Sequence, residues 1–137
     1  AAIGRVQLTK LAGWTKTRQE NAAFLSANIT EAVTPTVPEG YVHVYHQYTI
    51  RLEGVSGEER DRFVAALKDE HQVGSGVYYP IPNHRLPSLA PYAPGLELPN
   101  TEKVAAECVS LPVHPSLSQA DLERIVAGVN ACAKAGA

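Results

Sequence analysis

Hydrophobic positions recur along this chain with two different periods, and each period predicts one type of element. Over residues 1–29 apolar side chains recur every three or four positions, as on one face of a helix. The members of this stripe are Ile3, Val6, Leu11, Trp14, Ala22 and Leu25. We predict one long helix there. No capping residue precedes it and the chain contains no methionine, so we expect the helix to begin inside a longer protein.

Over residues 42–52 the period changes to two, which is typical of a strand. The predicted apolar face of this strand consists of Val42, Val44, His46, Tyr48, Ile50 and Leu52. A capping box, with Ser56 as the N-cap and Glu59 three residues later, then opens a helix that is predicted to run to about Glu70. A second strand is predicted over residues 73–80.

The last third of the chain is predicted to begin with a proline-rich loop over residues 84–99. A short helix over residues 100–108, capped by Asn100, and an extended segment over residues 109–113 are expected to follow. Ser118, with an aspartate three residues later, is predicted to cap the last helix.

These elements together predict the fold class α+β, an α/β sandwich in which a small antiparallel-type sheet is covered by helices. We expect a single domain over residues 1–137. Within it, residues 1–29 would form a connecting helix and residues 41–137 a compact α+β body, with residues 31–40 as the hinge between them.

Composition excludes several classes of protein. Hydrophobic residues make up 45% and charged residues 19% of the chain, which is typical of a folded domain. The 12 basic and 14 acidic residues are spread along the sequence, so nucleic acid is not expected as a partner. No apolar run is long enough for a membrane span, and no signal peptide is visible. The two cysteines, Cys108 and Cys132, lie in predicted helices and make no disulfide framework, so a cytoplasmic location is expected.

The five histidines do not predict a metal site. His43 and His46 are three positions apart, which places them on opposite faces of a strand, and the sequence has no Cys-X-X-Cys pair. We expect His46 to be a core residue and His71 to interact favourably with a helix C-terminus. His114 is expected to fix the turn into the last helix.

The segment Gly74-Ser75-Gly76-Val77-Tyr78-Tyr79-Pro80-Ile81-Pro82-Asn83-His84 is the best candidate for a functional site. Its two prolines stiffen the chain, so the histidine that follows them has a defined position. Irregular segments of this kind carry function more often than cores do, although a surface histidine in a proline-rich loop is the simpler alternative. The neighbours of this histidine in the sequence are Tyr78, Tyr79, Asn83 and Arg85.

No nucleophile motif and no phosphate-binding glycine loop accompanies this segment, so the chain alone does not contain a complete catalytic apparatus. Six blocks nevertheless form a series. They are Ala1-Ala2-Ile3-Gly4-Arg5-Val6-Gln7-Leu8, Arg18-Gln19-Glu20-Asn21-Ala22, Val44-Tyr45-His46-Gln47-Tyr48-Thr49-Ile50-Arg51, residues 73–84, Leu98-Pro99-Asn100-Thr101-Glu102 and Ser110-Leu111-Pro112-Val113-His114-Pro115. In this order they resemble the C-terminal portion of the pyridoxal-phosphate-dependent sugar aminotransferases of the DegT/StrS family, which are fold-type-I enzymes.

The resemblance implies that this chain is the small C-terminal domain of such a transferase. In the family, pyridoxal 5'-phosphate is bound by a Schiff-base lysine of the large N-terminal domain, ahead of the helix with which this chain begins. The lysines present here are expected on solvated surfaces; they are Lys10, Lys16, Lys68, Lys103 and Lys134. The resemblance therefore implies no catalytic residue and no bound cofactor in this chain, which is predicted to be inactive alone.

The resemblance also implies what the proline-containing segment does. His84 and Tyr79 would face the substrate, with Tyr78, Asn83 and Arg85 as further candidates. The expected partners are the protein's own N-terminal domain, a nucleotide-linked keto-sugar and an amino acid donor, and the full-length protein is expected to be a homodimer. Tyr78, Asn83 and Arg85 depart from the residues that many relatives carry, which leaves the identity of the sugar open.

Two alternatives stay open. Some relatives carry histidine in place of the cofactor lysine and dehydrate sugars, and the residue that decides this would lie outside the chain. A stand-alone, non-catalytic binding or dimerisation module could have the same fold, because fold alone does not set function. The uncapped first helix favours a fragment over such a module.

Overall fold

The structure, a computed structural model, describes residues 1–135; residues 136 and 137, the end of the predicted body, lie outside the described residues. The helices are α1 (Ala2–Leu8), α2 (Leu11–Asn28), α3 (Gly57–His71), α4 (Pro99–Glu107) and α5 (Gln119–Ala135). The strands are β1 (Tyr48–Arg51) and β2 (Cys108–Leu111). Two short 3-10 helices, Asn83–Arg85 and Ala90–Tyr92, lie between α3 and α4. No helix in this range is long and apolar enough to cross a membrane.

The two strands form an antiparallel sheet. The residue pairs are Tyr48 with Leu111, Thr49 with Ser110, Ile50 with Val109 and Arg51 with Cys108. A bridge from Val33 to Arg51 extends the sheet beyond β1, and a bridge from Gly76 to Ser110 extends it beyond β2. A small antiparallel sheet with packed helices confirms the predicted α+β fold class.

The core lies on one face of the sheet. There α3 packs against α5, and α2 packs against α5 as well. The buried side chains include Tyr48, Ile50, Val109 and Leu111 from the sheet, Ala22 and Leu25 from α2, Phe63 and Leu67 from α3, and Leu122, Ile125 and Val129 from α5. Because this face is covered by helices, the opposite face of the sheet is left to form a site.

The predicted single helix over residues 1–29 is interrupted. The Thr9 hydroxyl donates to the carbonyl of Val6 at 2.7 Å, and the Lys10 N–H bonds to the carbonyl of Gln7, so the chain leaves the α-helical pattern between α1 and α2. Side-chain bonds of this kind compete with a helix. No residue of α1 is buried, and Ile3 is 79% exposed. The apolar stripe of α1 therefore contributes nothing to the core of this chain.

The strand predicted over residues 42–52 is shorter in the structure, and the strand predicted over residues 73–80 is reduced to a single bridge. Tyr45 adopts φ +46°, and its N–H donates to Nδ1 of His43, so the chain turns sharply before it enters β1. His46 is exposed, and its predicted place in the core is wrong. Of the strand predicted over residues 73–80, only the bridge at Gly76 forms.

Two of the predicted helix N-caps are confirmed and one is corrected. Both reciprocal bonds of the capping box at Ser56 are present, and Ser118 makes the corresponding bonds at the start of α5. Asn100 is not a cap, because α4 begins one residue earlier with Pro99, whose missing N–H and fixed φ suit the first position of a helix. Cys108 lies in β2 and not in a helix.

Candidate functional site

The uncovered face of the sheet forms the floor of an open cleft of about 600 Å³, which we call the sheet cleft. Its floor consists of Gln47, Thr49, Cys108 and Ser110. One wall is formed by α4, through Thr101, Val104 and Ala105, and by Leu98 directly before it. The other wall is the segment that the sequence analysis selected, through Gly76, Val77, Tyr78, Tyr79, Pro82, Asn83 and His84.

Backbone pairing fixes the second wall at its start. Gly76 and Ser110 exchange N–H···O bonds of 2.9 and 2.8 Å. The ring of Tyr78 lies against Gly76, where an added Cβ would be 3.4 Å from Tyr78 Cε2. The ring of Tyr78 thus packs directly over the backbone at Gly76. Further along, the stiff prolines lead into the 3-10 helix Asn83–Arg85.

His84 is held by a carboxylate from the opposite wall. Its side chain is only 6% exposed, and Nε2 lies 2.9 Å from Oε1 of Glu102. The same oxygen accepts from the Arg85 guanidinium, with Nη2 at 2.8 Å, and more distantly from the Leu98 N–H at 3.4 Å. The bond from His84, followed by the bonds from Arg85 and Leu98, lowers the pKa of Glu102 to about 2.

The hydrogen bond to Glu102 determines which imidazole nitrogen of His84 can bind a ligand. At neutral pH the Glu102 carboxylate is ionised and can only accept, so Nε2 of His84 must carry a proton. Nδ1 is then the ring nitrogen that remains for a ligand. A histidine oriented by a carboxylate through its other nitrogen is a common arrangement in functional sites.

The structure brings most of the predicted site residues together. Tyr78, Tyr79, Asn83 and His84 all line the sheet cleft, and Tyr79 is 75% exposed. Arg85 does not line it, because its guanidinium is directed to Glu102.

Sequence reasoning missed the role of Glu102. The residue belongs to one of the blocks that carry the family resemblance, and this was the only available signal. Its contact with His84 joins residues 18 positions apart across two walls, and no local periodicity predicts such a contact.

An ion pair between a buried carboxylate and a partly exposed arginine attaches the α4 wall to the sheet. Glu107, the last residue of α4, is 1% exposed, and its Oε2 lies 2.6 Å from Nη1 of Arg51 in β1. Its Oε1 accepts from the N–H of Gly54 at 2.9 Å. The carboxylate is thus satisfied on both oxygens, which is what burial of a charge requires.

Away from the cleft, the described residues bring together three side chains of the types that bind metals. The candidate ligand atoms of Glu70, His71 and Cys132 lie within 4.8 Å of one another where α3 and α5 end. Burial raises the pKa of the Cys132 thiol. The sequence analysis did not find this group, because its members come from two helices far apart in sequence.

The cleft does not fit the covalent attachment of pyridoxal phosphate. The five lysines are exposed, as predicted, and within residues 1–135 none of them lines the sheet cleft. Lys103 on α4 instead points toward Glu107, with its Nζ 3.8 Å from Oε1. The described lining of the sheet cleft therefore offers no amine for the aldehyde of this cofactor, and no chemical step of it is assigned to these residues.

Comparison with known proteins identifies the family. The sequence profile of the DegT/DnrJ/EryC1/StrS aminotransferase family matches residues 1–130. The chain belongs to this family. Its sheet cleft is thus a feature of a DegT/DnrJ/EryC1/StrS domain, and the family that the six sequence blocks indicated is confirmed.

Individual relatives are much longer than this chain. It is 39% identical over 133 residues to the pleiotropic regulatory protein of Geobacillus stearothermophilus, covering 92% of this chain and 34% of that protein. It is 33% identical over 127 residues to the UDP-N-acetyl-3-dehydro-alpha-D-glucosamine 3-aminotransferase of Acidithiobacillus ferrooxidans, covering 91% and 32%. The crystal structure of the aminotransferase TlmJ from Streptoalloteichus hindustanus superimposes with a TM-score of 0.81 at 28% identity, covering 97% and 35%. The chain spans about a third of the length of these relatives.

Proposed function

We propose that this chain is the C-terminal domain of a pyridoxal-phosphate-dependent aminotransferase that transfers an amino group from an amino acid to a nucleotide-linked keto-sugar. The family match over residues 1–130 supports the reaction class. The observation that most directly supports the proposal is the sheet cleft, which is lined by the oriented His84, by two tyrosines and by Asn83.

The cleft residues suit the binding of a sugar. Tyr78, Tyr79 and Asn83 supply hydroxyl and amide groups that both donate and accept hydrogen bonds, as sugar hydroxyls require. The apolar side chains of α4 supply a surface for the faces of the ring. His84, fixed through Glu102, offers Nδ1 as a positioned hydrogen-bond partner. Together these groups would bind and orient the acceptor.

The remaining requirements fall to other parts of the protein. Pyridoxal phosphate carries the amino group from donor to acceptor when it is bound, and we assign its lysine to an N-terminal domain outside this chain. We expect the chain alone to be inactive and the full-length protein to be a homodimer in the cytoplasm. In that assembly, closure over the sheet cleft would exclude water from the sugar.

The test is a product analysis with the full-length protein that contains this chain. The protein is incubated with pyridoxal phosphate, glutamate and nucleotide-linked keto-sugars, and the products are analysed by mass spectrometry. We expect an amino sugar from the full-length protein and no product from the chain alone. Loss of water without gain of nitrogen would show a dehydratase instead, and the absence of any turnover over a panel of donors and sugars would favour the non-catalytic module.

A further inference from the structure

A second, smaller cleft of about 360 Å³ lies beside the sheet cleft, and Tyr78 lines both of them. We call it the Arg18 cleft. Three of its lining residues, Arg18, His46 and His114, carry or can carry a positive charge, and none of the described residues that line it is acidic. The rest of the lining includes the glycine-serine-glycine turn at residues 74–76. The proposed function as argued above gives no role to Arg18, His46 or His114.

Helix α2 brings His114 to Arg18. Arg18 and Asn21 are three positions apart, which places them on the same face of the helix. The Asn21 side chain is buried, and its Nδ2 donates to the carbonyl of His114 at 3.1 Å and to that of Val113 at 3.4 Å. The Arg-X-X-Asn block thus has a structural meaning, since the asparagine fixes the chain that carries one of the basic residues beside the arginine.

The same helix also fixes the chain that carries His46. Nε2 of Gln19 donates to the carbonyl of His43 at 2.9 Å. His43 in turn accepts from the N–H of Tyr45, at the residue with φ +46°. This turn leaves His46 exposed at the cleft and out of the core. Hydrogen bonds from α2 therefore fix the two chain segments that carry His46 and His114, and Arg18 lies on α2 itself.

Two donors in this cleft have no partner in the described part of the chain. Arg51, Arg60 and Arg85 each lie within 4.0 Å of a carboxylate, but Arg18 has no such neighbour there. The hydroxyl of Ser75 is shielded from solvent and makes no hydrogen bond within residues 1–135. A shielded hydroxyl without a partner costs stability, so this turn would gain stability from a small local shift that lets Ser75 reach a ligand.

We propose that the Arg18 cleft binds the diphosphate of the nucleotide-sugar substrate. The identity of this ligand rests on the proposed function. The planar guanidinium of Arg18 matches two phosphate oxygens at once, and the imidazoles supply further donors. A diphosphate offers these donors more oxygens and more negative charge than a single carboxylate does. Because Gln47, Gly76, Tyr78 and Ser110 line both clefts, the clefts adjoin, and one substrate would place its sugar in the sheet cleft and its diphosphate beside Arg18.

Binding is measured with inorganic pyrophosphate titrated into the isotope-labelled chain and followed by NMR. We expect the side-chain signals of Arg18, His46 and His114 to shift along one binding curve. Arg18→Gln should weaken binding about tenfold or more, because it removes a charge-assisted contact. His46→Gln, a change at an exposed position, should weaken binding by a smaller factor. The matched control is Lys16→Gln, which removes one positive charge two residues earlier on α2, outside the cleft, and should change the affinity less than twofold.

Two results would overturn the assignment. Equal weakening by Arg18→Gln and Lys16→Gln would show only general attraction of anions to α2. Tighter binding of glutamate than of pyrophosphate, with the same signals shifting, would make this a carboxylate site.

The full-length protein separates this proposal from the proposed function. If it produces amino sugars while Arg18→Gln leaves the KM for the nucleotide sugar unchanged, the diphosphate assignment fails and the aminotransferase stands. If it transfers no amino group although pyrophosphate binding depends on Arg18, the proposed function fails and the anion site stands.

Discussion

At the scale of single residues, the site depends on where one carboxylate lies. Glu102 reaches from α4 to the opposite wall and bonds to His84 and Arg85. One acceptor thereby fixes the tautomer of the histidine and removes the arginine from the cleft. Exposed ion pairs contribute little to stability, so the consequence of this contact is mainly the orientation of His84.

The lowered pKa of Glu102 gives a test of these contacts. Its pKa in the folded chain is about 2, below the ordinary value of about 4.3, so the ionised carboxylate adds stability above pH 4.3 and loses that contribution as the pH falls toward 2. We expect Glu102→Gln to lower the free energy of unfolding most at neutral pH and progressively less below pH 4.3. Urea unfolding at a series of pH values measures this. Glu97→Gln, at a nearby exposed position, serves as control, and a Glu102→Gln effect that does not change with pH would show that the contacts do not form.

The ion pair of Arg51 with the buried Glu107 predicts a larger effect. Removing the arginine leaves a carboxylate that is 1% exposed without its main counter-charge. We expect Arg51→Ala to lower the free energy of unfolding by about 3 kcal/mol. Lys16→Ala, which breaks the exposed pair of α2 with Glu20, should cost less than about 1 kcal/mol. Chemical denaturation of both variants measures their free energies of unfolding. Similar decreases in the two variants would mean that the Glu107 carboxylate is well solvated.

At the scale of elements, local patterns were predictable and non-local ones were not. The capping boxes at Ser56 and Ser118 were predicted correctly because both partners of each bond lie within one turn. The strand over residues 42–52 was predicted too long, because its alternation continues through a turn at Tyr45 that His43 stabilises. The proline-containing wall was predictable because its prolines stiffen the chain locally. The position of α4 as the opposite wall was not, because it depends on contacts between residues that are far apart in the sequence.

The packing of α3 against α5 depends on a glycine. A Cβ at Gly128 would lie 2.9 Å from Leu67 Cδ1 and 3.0 Å from His71 Cβ, so an alanine there must displace its neighbours. Overpacking lowers the free energy of unfolding by about 1–3 kcal/mol, and the better helix propensity of alanine offsets about 1 kcal/mol of this loss. We expect Gly128→Ala to lower the free energy of unfolding by about 1 kcal/mol.

The control for this substitution is Gly13→Ala on α2. Among residues 1–135, an added Cβ at Gly13 meets no atom within 4 Å, so this variant should be unchanged or more stable by up to about 1 kcal/mol. Thermal unfolding of the two variants, compared with the unchanged chain, measures the difference. Equal stability of both would show that α3 and α5 are packed more loosely than the structure indicates.

At the scale of the whole molecule, apolar surface is distributed unevenly. The core fills one face of the sheet, while α1 places Ile3, Val6 and Leu8 in solvent. A helix with an unburied apolar stripe gains little stability from packing. We expect α1 to pack against the proposed N-terminal domain, since this would bury its apolar stripe.

Amide hydrogen exchange tests this distribution. In the chain alone we expect the amides of α1 to exchange at least about a hundredfold faster than those of the buried segment of α2 around Ala22 and Leu25. In the full-length protein, α1 should gain protection. If the amides of α1 and α2 were equally protected in the chain alone, α1 would have to be stabilised by packing that the structure does not show among residues 1–135.

The most direct test of the central claim, that the sheet cleft faces the sugar, is the kinetics of His84→Gln in the full-length protein. The half-reaction with the amino donor alone is compared with the complete reaction. We predict that the variant raises the KM for the nucleotide sugar about tenfold or more and changes the donor half-reaction less than twofold, because His84 lies in the cleft assigned to the acceptor. Equal loss in both reactions, or no change in either, would contradict this account.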